Sequence, residues 1–185
     1  MTTDVIKTAE LEATGVPGHV IDLRCRPGGP WQRILPGVLL LSATPPTRAQ
    51  HLRAALAYAG PEAVVTGVDA LRAQGLPELP APPLIHLLQP ATRRRAGTAQ
   101  LLLERTTRPP GTTTRDGLRL AEPTRAALDA ARREPHPLHR HHLLASALRA
   151  GLCTVAGLEA ELDAGSKRGA AAPRAALRTL KLLLR

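Results

Sequence analysis

The chain has 185 residues; 43% are apolar, yet there is no Phe, one Trp and one Tyr, so a core must come from Leu, Val and Ala. Twenty-five Lys and Arg against fifteen acidic residues leave a net charge of +10, which favours an anionic partner, nucleic acid before an anionic membrane. No apolar run approaches the ~18 residues of a membrane-spanning helix, the start Met1-Thr2-Thr3-Asp4 lacks the regions of a signal peptide, and Cys25 and Cys153 stand apart. The expectation is a cytoplasmic protein with free thiols and no membrane partner.

Val5 to Thr14 reads as a short helix, with Val5, Ile6, Ala9 and Leu11 as core contacts and Gly15 at its end. Gly15-Val16-Pro17 is a tight turn, and Pro17 suits the first position of a second helix running to about Arg26. Arg26-Pro27-Gly28-Gly29-Pro30 breaks that helix. Trp31 to Val38 then reads as a hairpin, punctuated by Pro36-Gly37 and followed by the buried-strand run Val38 to Leu41. Two short helices and a hairpin make the layout of a winged helix-turn-helix, whose second helix enters a DNA groove while the hairpin touches the backbone. The candidate DNA contacts are His19, Arg24 and Arg26 on the helix, with Gln32 and Arg33 on the hairpin. Asp22 reads as an i,i+4 partner of Arg26. Residues 1–44 hold four basic and four acidic side chains, so the charge excess falls later.

Ser42 to Thr47 is a proline-bearing link. Thr47 to Gly60 is the clearest helix, capped by Thr47, with Ala49, Leu52, Leu56 and Ala59 as its inner face. A short strand at Ala63 to Thr66, a turn or two of helix from Val68 to Gly75 and a proline-rich loop from Leu76 to Pro83 follow. Leu84 to Leu88 and Gln100 to Glu104 read as strands joined through a hairpin tip at Arg93-Arg94-Arg95. Arg105 to Arg115 reads as irregular and Gly117 to Ala121 as a strand. Pro123 to Arg132 reads as a helix with Ala127, Leu128 and Ala131 inward. Three more helices close the chain: Leu138 to Ala150, one capped by Thr154 with Leu158 and Leu162 inward, and Pro173 to Leu184. The last carries a Leu177, Leu180, Leu184 stripe and a second stripe of Arg174, Arg178, Lys181 and Arg185.

No motif of cofactor binding or catalysis emerges. His136-Pro-Leu-His139-Arg-His141-His142 lacks the converging ligand set that zinc needs, and a solvated helix start explains it better. No Ser-His-Asp set, phosphate loop or paired-carboxylate motif is present, and Asp129 beside Arg132 reads as a structural pair or cap. The expectations are therefore no enzyme, no cofactor and no metal.

The ordered segments resemble the actinobacterial branch of the AbiEi-like antitoxins of type IV abortive-infection toxin–antitoxin systems. The resemblance rests on Arg24-Cys-Arg-Pro-Gly-Gly-Pro-Trp-Gln-Arg-Ile-Leu-Pro-Gly-Val38, Tyr58-Ala-Gly-Pro61, Ala70-Leu71 with Gly75-Leu76, and Arg105-Thr106 with Pro109. It continues through Gly117-Leu118, Arg125-Ala126-Ala127, Asp129-Ala-Ala-Arg132, Gly151-Leu-Cys-Thr154, Glu161-Leu162 and Arg168-Gly169, spanning roughly residues 5–178. It implies a repressor of its own operon that binds inverted repeats in double-stranded DNA as more than one copy. It also implies opposition to a nucleotidyltransferase toxin without a stable complex. Many members of that family carry a further small endonuclease domain; the Pro-Asp…Glu-x-Lys signature of such a domain is not in this sequence.

The expected fold is α+β: an N-terminal winged helix-turn-helix at 1–44 and a mixed α/β antitoxin domain with a helical C-terminal part at 45–185. The alternatives are a non-catalytic protein-interaction module, favoured by stoichiometric co-purification of a protein without DNA, and the remnant of a two-domain endonuclease-like protein.

Overall fold

The computed structural model describes residues 4–183. Among them the chain forms eight helices and two sheets, the mixed α/β content expected. It divides into two compact units, Met1–Ala63 and Val64–Arg185.

The first unit runs β1 (Val5–Lys7), α1 (Thr8–Ala13), α2 (Gly18–Arg24), β2 (Gln32–Leu35), β3 (Val38–Leu40) and α3 (Arg48–Ala59). Its sheet has the order β1-β3-β2, with both pairs antiparallel. Val5 to Lys7 is thus a strand, not the start of a helix. Its β-branched pair, Val5 and Ile6, faces Leu40 and Leu39 across the ladder, and α1 begins only where Lys7 caps it, its backbone N–H donating to the Glu10 carboxylate. A hydrophobic run of this length suits strand or helix equally; the open edge of β3 decides. Ala9, placed in the core by the helical reading, is exposed. The hairpin forms as expected: Gly37 takes φ +72° in the turn after Pro36, a region that non-glycine residues enter at a cost.

Leu11, Ile21 and Leu39 form a buried cluster, with Val16, Cys25 and Trp31 packed against it. Of the expected face Ala49, Leu52, Leu56 and Ala59, helix α3 buries Leu52, and with it Ala54 and Ala55, while the other three are half-buried. Thr47 caps it through Gln50, and the Gln50 side chain donates to Asp4 at the root of β1. That bond and its packing on the sheet place α3 with the first unit, so the division lies after Ala63 and not at residue 44.

The second unit runs β4 (Val64–Val65), α4 (Gly67–Ala73), β5 (Ile85–Pro90), β6 (Leu101–Thr106), β7 (Thr112–Arg115), β8 (Leu118–Ala121), α5 (Pro123–Arg133), α6 (Pro137–Arg149), α7 (Val155–Ala164) and α8 (Ala171–Leu183). The sheet order is β6-β5-β4-β8-β7. The strands β5 and β6 pair in parallel, Ile85 opposite Leu101 through Pro90 opposite Thr106. Arg93-Arg94-Arg95 therefore lies in a crossover returning the chain to the same end of the sheet, not at a hairpin tip. The Thr112–Arg115 stretch, read as irregular, is a strand joined to β8 by a hairpin whose Asp116 and Gly117 take φ +50° and +76°, the signature of a two-residue turn.

The helix α5 is the hub of this unit, packing against α4, α6, α7 and α8. Every residue from Ala126 to Ala131 is buried, including the expected Ala127, Leu128 and Ala131. Fully burying each Leu of such a core contributes ~1.5–3 kcal/mol. Leu158, Leu162, Leu177 and Leu180 pack inward as expected; Leu184 and Arg185 lie outside the described residues.

Candidate nucleic-acid interface

Within the first unit, α2 is short because the chain breaks at both ends. Pro17 sits at the N-cap, one place earlier than expected, and the Arg26-Pro27-Gly28-Gly29 turn closes the C-terminal side. Ile21 points into the core at 1% exposure, which turns His19, Asp22 and Leu23 outward. Three and four positions separate these residues, so they share one face. Arg26 follows just past the C-cap and is also exposed. Among the described residues neither His19 nor Arg26 has a side-chain hydrogen-bond partner, so both present free polar groups.

Other candidates are already engaged. Asp22 pairs with Arg33 on β2, not with Arg26 as the i,i+4 spacing suggested. The hairpin reaches Asp22 because Trp31 N–H donates to the Arg24 carbonyl at 3.1 Å, which folds the chain back along the helix. Gly29 allows this approach: a Cβ there would collide with that same carbonyl oxygen. The Arg24 guanidinium lies 4.7 Å from the Trp31 ring centroid, a cation–π contact on an exposed side chain. Gln32 donates to the carbonyls of Ser42 (2.8 Å) and Thr44 (2.7 Å), so its amide holds the strand and its exit loop. Of the five candidates, His19 and Arg26 are free, Arg24 and Arg33 are charged but locally partnered, and Gln32 is structural. Six basic and five acidic residues leave this unit almost neutral.

The second unit carries the charge, with nineteen basic against ten acidic side chains. At its centre Asp129, only 3% exposed, accepts from Thr66 Oγ1 (2.8 Å), Arg125 Nε (3.0 Å) and Arg132 Nη1 (3.1 Å). Arg125 also meets Glu161 at 3.5 Å, and Arg108 pairs with the same carboxylate. This network ties the N-cap of α4 to α5 and α7. Asp129 pairs with Arg132 as expected; Thr66, Arg108, Arg125 and Glu161 join the network without being expected in it. The available signal was the Arg125/Asp129 i,i+4 spacing in a helix otherwise made of Ala and Leu at its centre.

A second polar set lies on neighbouring strands. His86 Nε2 donates to Glu104 Oε2 at 3.1 Å, and Arg133 reaches the same oxygen at 2.9 Å. The His86 hydrogen bond chiefly holds the Glu104 carboxyl down to about 2, with Arg133 adding to it and partial burial opposing. Burial pushes the Cys153 thiol up to about 11. Among the described residues no group of His, Cys, Asp and Glu converges to hold a metal, His136, His139 and His142 included. No described helix is long and apolar enough to cross a membrane.

No protein-family model matches the chain, and no curated protein matches it.

Proposed function

We propose that the protein is a DNA-binding transcriptional regulator of the AbiEi-like antitoxin type, with the first unit as its winged helix-turn-helix and α2 as its reading helix. The observation that carries the reading is the outward face of α2 together with the turn that follows it. There two unengaged polar groups, His19 on α2 and Arg26 just past its C-cap, stand with Leu23, which is 56% exposed. Arg suits guanine, and an aliphatic side chain suits the thymine methyl group. The adjacent hairpin supports Arg33 as a phosphate contact, with Asp22 setting the direction of its side chain. The near-neutral charge of this unit assigns most of the sequence-independent attraction to the nineteen basic residues of the second. Opposition to a nucleotidyltransferase toxin, and binding to inverted repeats as more than one copy, belong to the same proposal through the resemblance.

The exposed Leu23 also favours a second reading, a protein-interaction surface on the same face. Gel-shift titration separates them. On the first reading, Arg26→Ala with His19→Ala weakens binding to the DNA upstream of the gene, at about 1–3 kcal/mol for a lost base contact. Unchanged affinity in that double variant sinks the assignment. Stoichiometric co-purification of a protein that Leu23→Lys abolishes establishes the second.

A further inference from the structure

A recess of about 870 Å³ opens in the second unit beside the carboxyl end of β6. Six arginines line it: Arg105, Arg108, Arg125, Arg132, Arg133 and Arg168. Three are neutralised in place, Arg108 by Glu161, Arg125 by Asp129 and Arg133 by Glu104. The other three are not. Arg105 and Arg168 are exposed, and their side chains have no partner among the described residues. Arg132 shares Asp129 with Arg125 through Nη1 only; its Nε and Nη2 are buried and have no acceptor. A charged donor left this way costs more than a neutral one. The loop over it, 165–169, packs so closely that Arg132 Nη2 lies 3.3 Å from where a Cβ on Gly165 would stand. Thr107 and Ser166 add hydroxyls to the lining.

We propose that this recess binds the terminal phosphoryl group of a small phosphorylated ligand. A phosphate dianion matches what is unspent here: positive charge in excess by three, with the three guanidinium groups supplied by β6 (Arg105), α5 (Arg132) and the 165–169 loop (Arg168), since arginine favours phosphate through paired N–H groups. The buried position of the Arg132 donors favours a terminal group that enters the recess and lifts the 165–169 loop, over a backbone phosphate on the outer surface of a duplex. The inference concerns the second unit alone and does not rest on the DNA reading.

Calorimetric titration of the full chain with inorganic pyrophosphate tests it, alongside Arg105→Gln with Arg168→Gln and a charge-matched control, Arg178→Gln with Arg149→Gln. The four substituted arginines are all exposed, so folding is preserved. The expected result is saturable one-to-one binding that weakens by about tenfold or more in the recess variant and stays within about twofold in the control, tenfold being about 1.4 kcal/mol. A scrambled DNA duplex is expected to leave pyrophosphate affinity unchanged. Absence of saturable binding overturns the proposal, as does equal weakening in recess and control variants. Displacement of pyrophosphate by duplex at the same arginines overturns the small-ligand source and assigns the recess to backbone phosphate.

Discussion

Replacing Asp129 by Asn tests the network that organises the second unit. The carboxylate is 3% exposed and is the shared acceptor of Thr66, Arg125 and Arg132, whose guanidinium groups are themselves largely buried. Asn keeps the shape, removes the charge and turns an N–H₂ group toward donors. Removing one partner of a buried ion pair costs about 3–5 kcal/mol, because the other charge stays buried and uncompensated. Arg125 keeps Glu161 at 3.5 Å, which draws the expectation to the lower end, about 3 kcal/mol. In a unit of this size that is a fall in Tm of roughly 10 °C. Urea unfolding followed by far-ultraviolet circular dichroism measures it, with the midpoint expected to fall at unchanged m-value. Thr66→Val removes one hydrogen bond to a charge, about 1.5–3 kcal/mol, and the double variant should cost less than the sum. A loss below about 1 kcal/mol for Asp129→Asn, or strict additivity, would refute the idea that these groups act as a unit.

Glu104 titrates at about 2 in the fold against an ordinary 4.5, so below pH 4.5 the unfolded chain takes up the proton first. Its stabilisation is complete above that value and is lost as the pH falls toward 2; Glu104→Gln should flatten the stability profile across that window, and an unaltered slope in acid urea titrations counts against the His86–Glu104–Arg133 set. Cys153 is buried with its thiol raised to about 11, whereas Cys25 is partly exposed. Maleimide at neutral pH should label Cys25 in the native chain and reach Cys153 only after unfolding, read by mass of the labelled peptides. Gly29→Ala should break the return of the hairpin onto α2, lowering stability by about 1–3 kcal/mol through steric conflict with the Arg24 carbonyl. A wild-type melting curve for that variant is the contrary result.

What the sequence disclosed depended on how local the signal was. The Thr47 cap, the Pro36-Gly37 turn and the inward Ala127, Leu128 and Ala131 each follow from residues within a turn of one another. Val5 to Lys7 could not be assigned that way, because its strand identity comes from β3, more than thirty positions on. The parallel pairing of β5 with β6 is likewise a non-local choice, which an arginine-rich connection disguised as a hairpin. The β7–β8 hairpin is legible in Asp116-Gly117, but Thr112 to Thr114 lacks the apolar residues that mark a strand. At the candidate interface the residue types were visible but their partners were not. Asp22 lies four positions from Arg26, yet it pairs with Arg33, eleven positions away, once the hairpin folds back. Gln32 looked like a polar contact and serves two backbone carbonyls. The recess arginines are scattered from Arg105 to Arg168, so only the folded arrangement that brings β6, α5 and the 165–169 loop together collects them.

The most direct test of the proposed function is fluorescence anisotropy of the full chain on the DNA upstream of its gene and on a scrambled duplex, at two salt concentrations, with the wild type and with Arg26→Ala plus His19→Ala. The account predicts tighter binding to the upstream DNA that persists at the higher salt and is lost in the double variant, while the non-specific component falls with a log–log slope of about −0.9 per phosphate contact. Equal, salt-sensitive binding to both duplexes that the double variant leaves unchanged would contradict it.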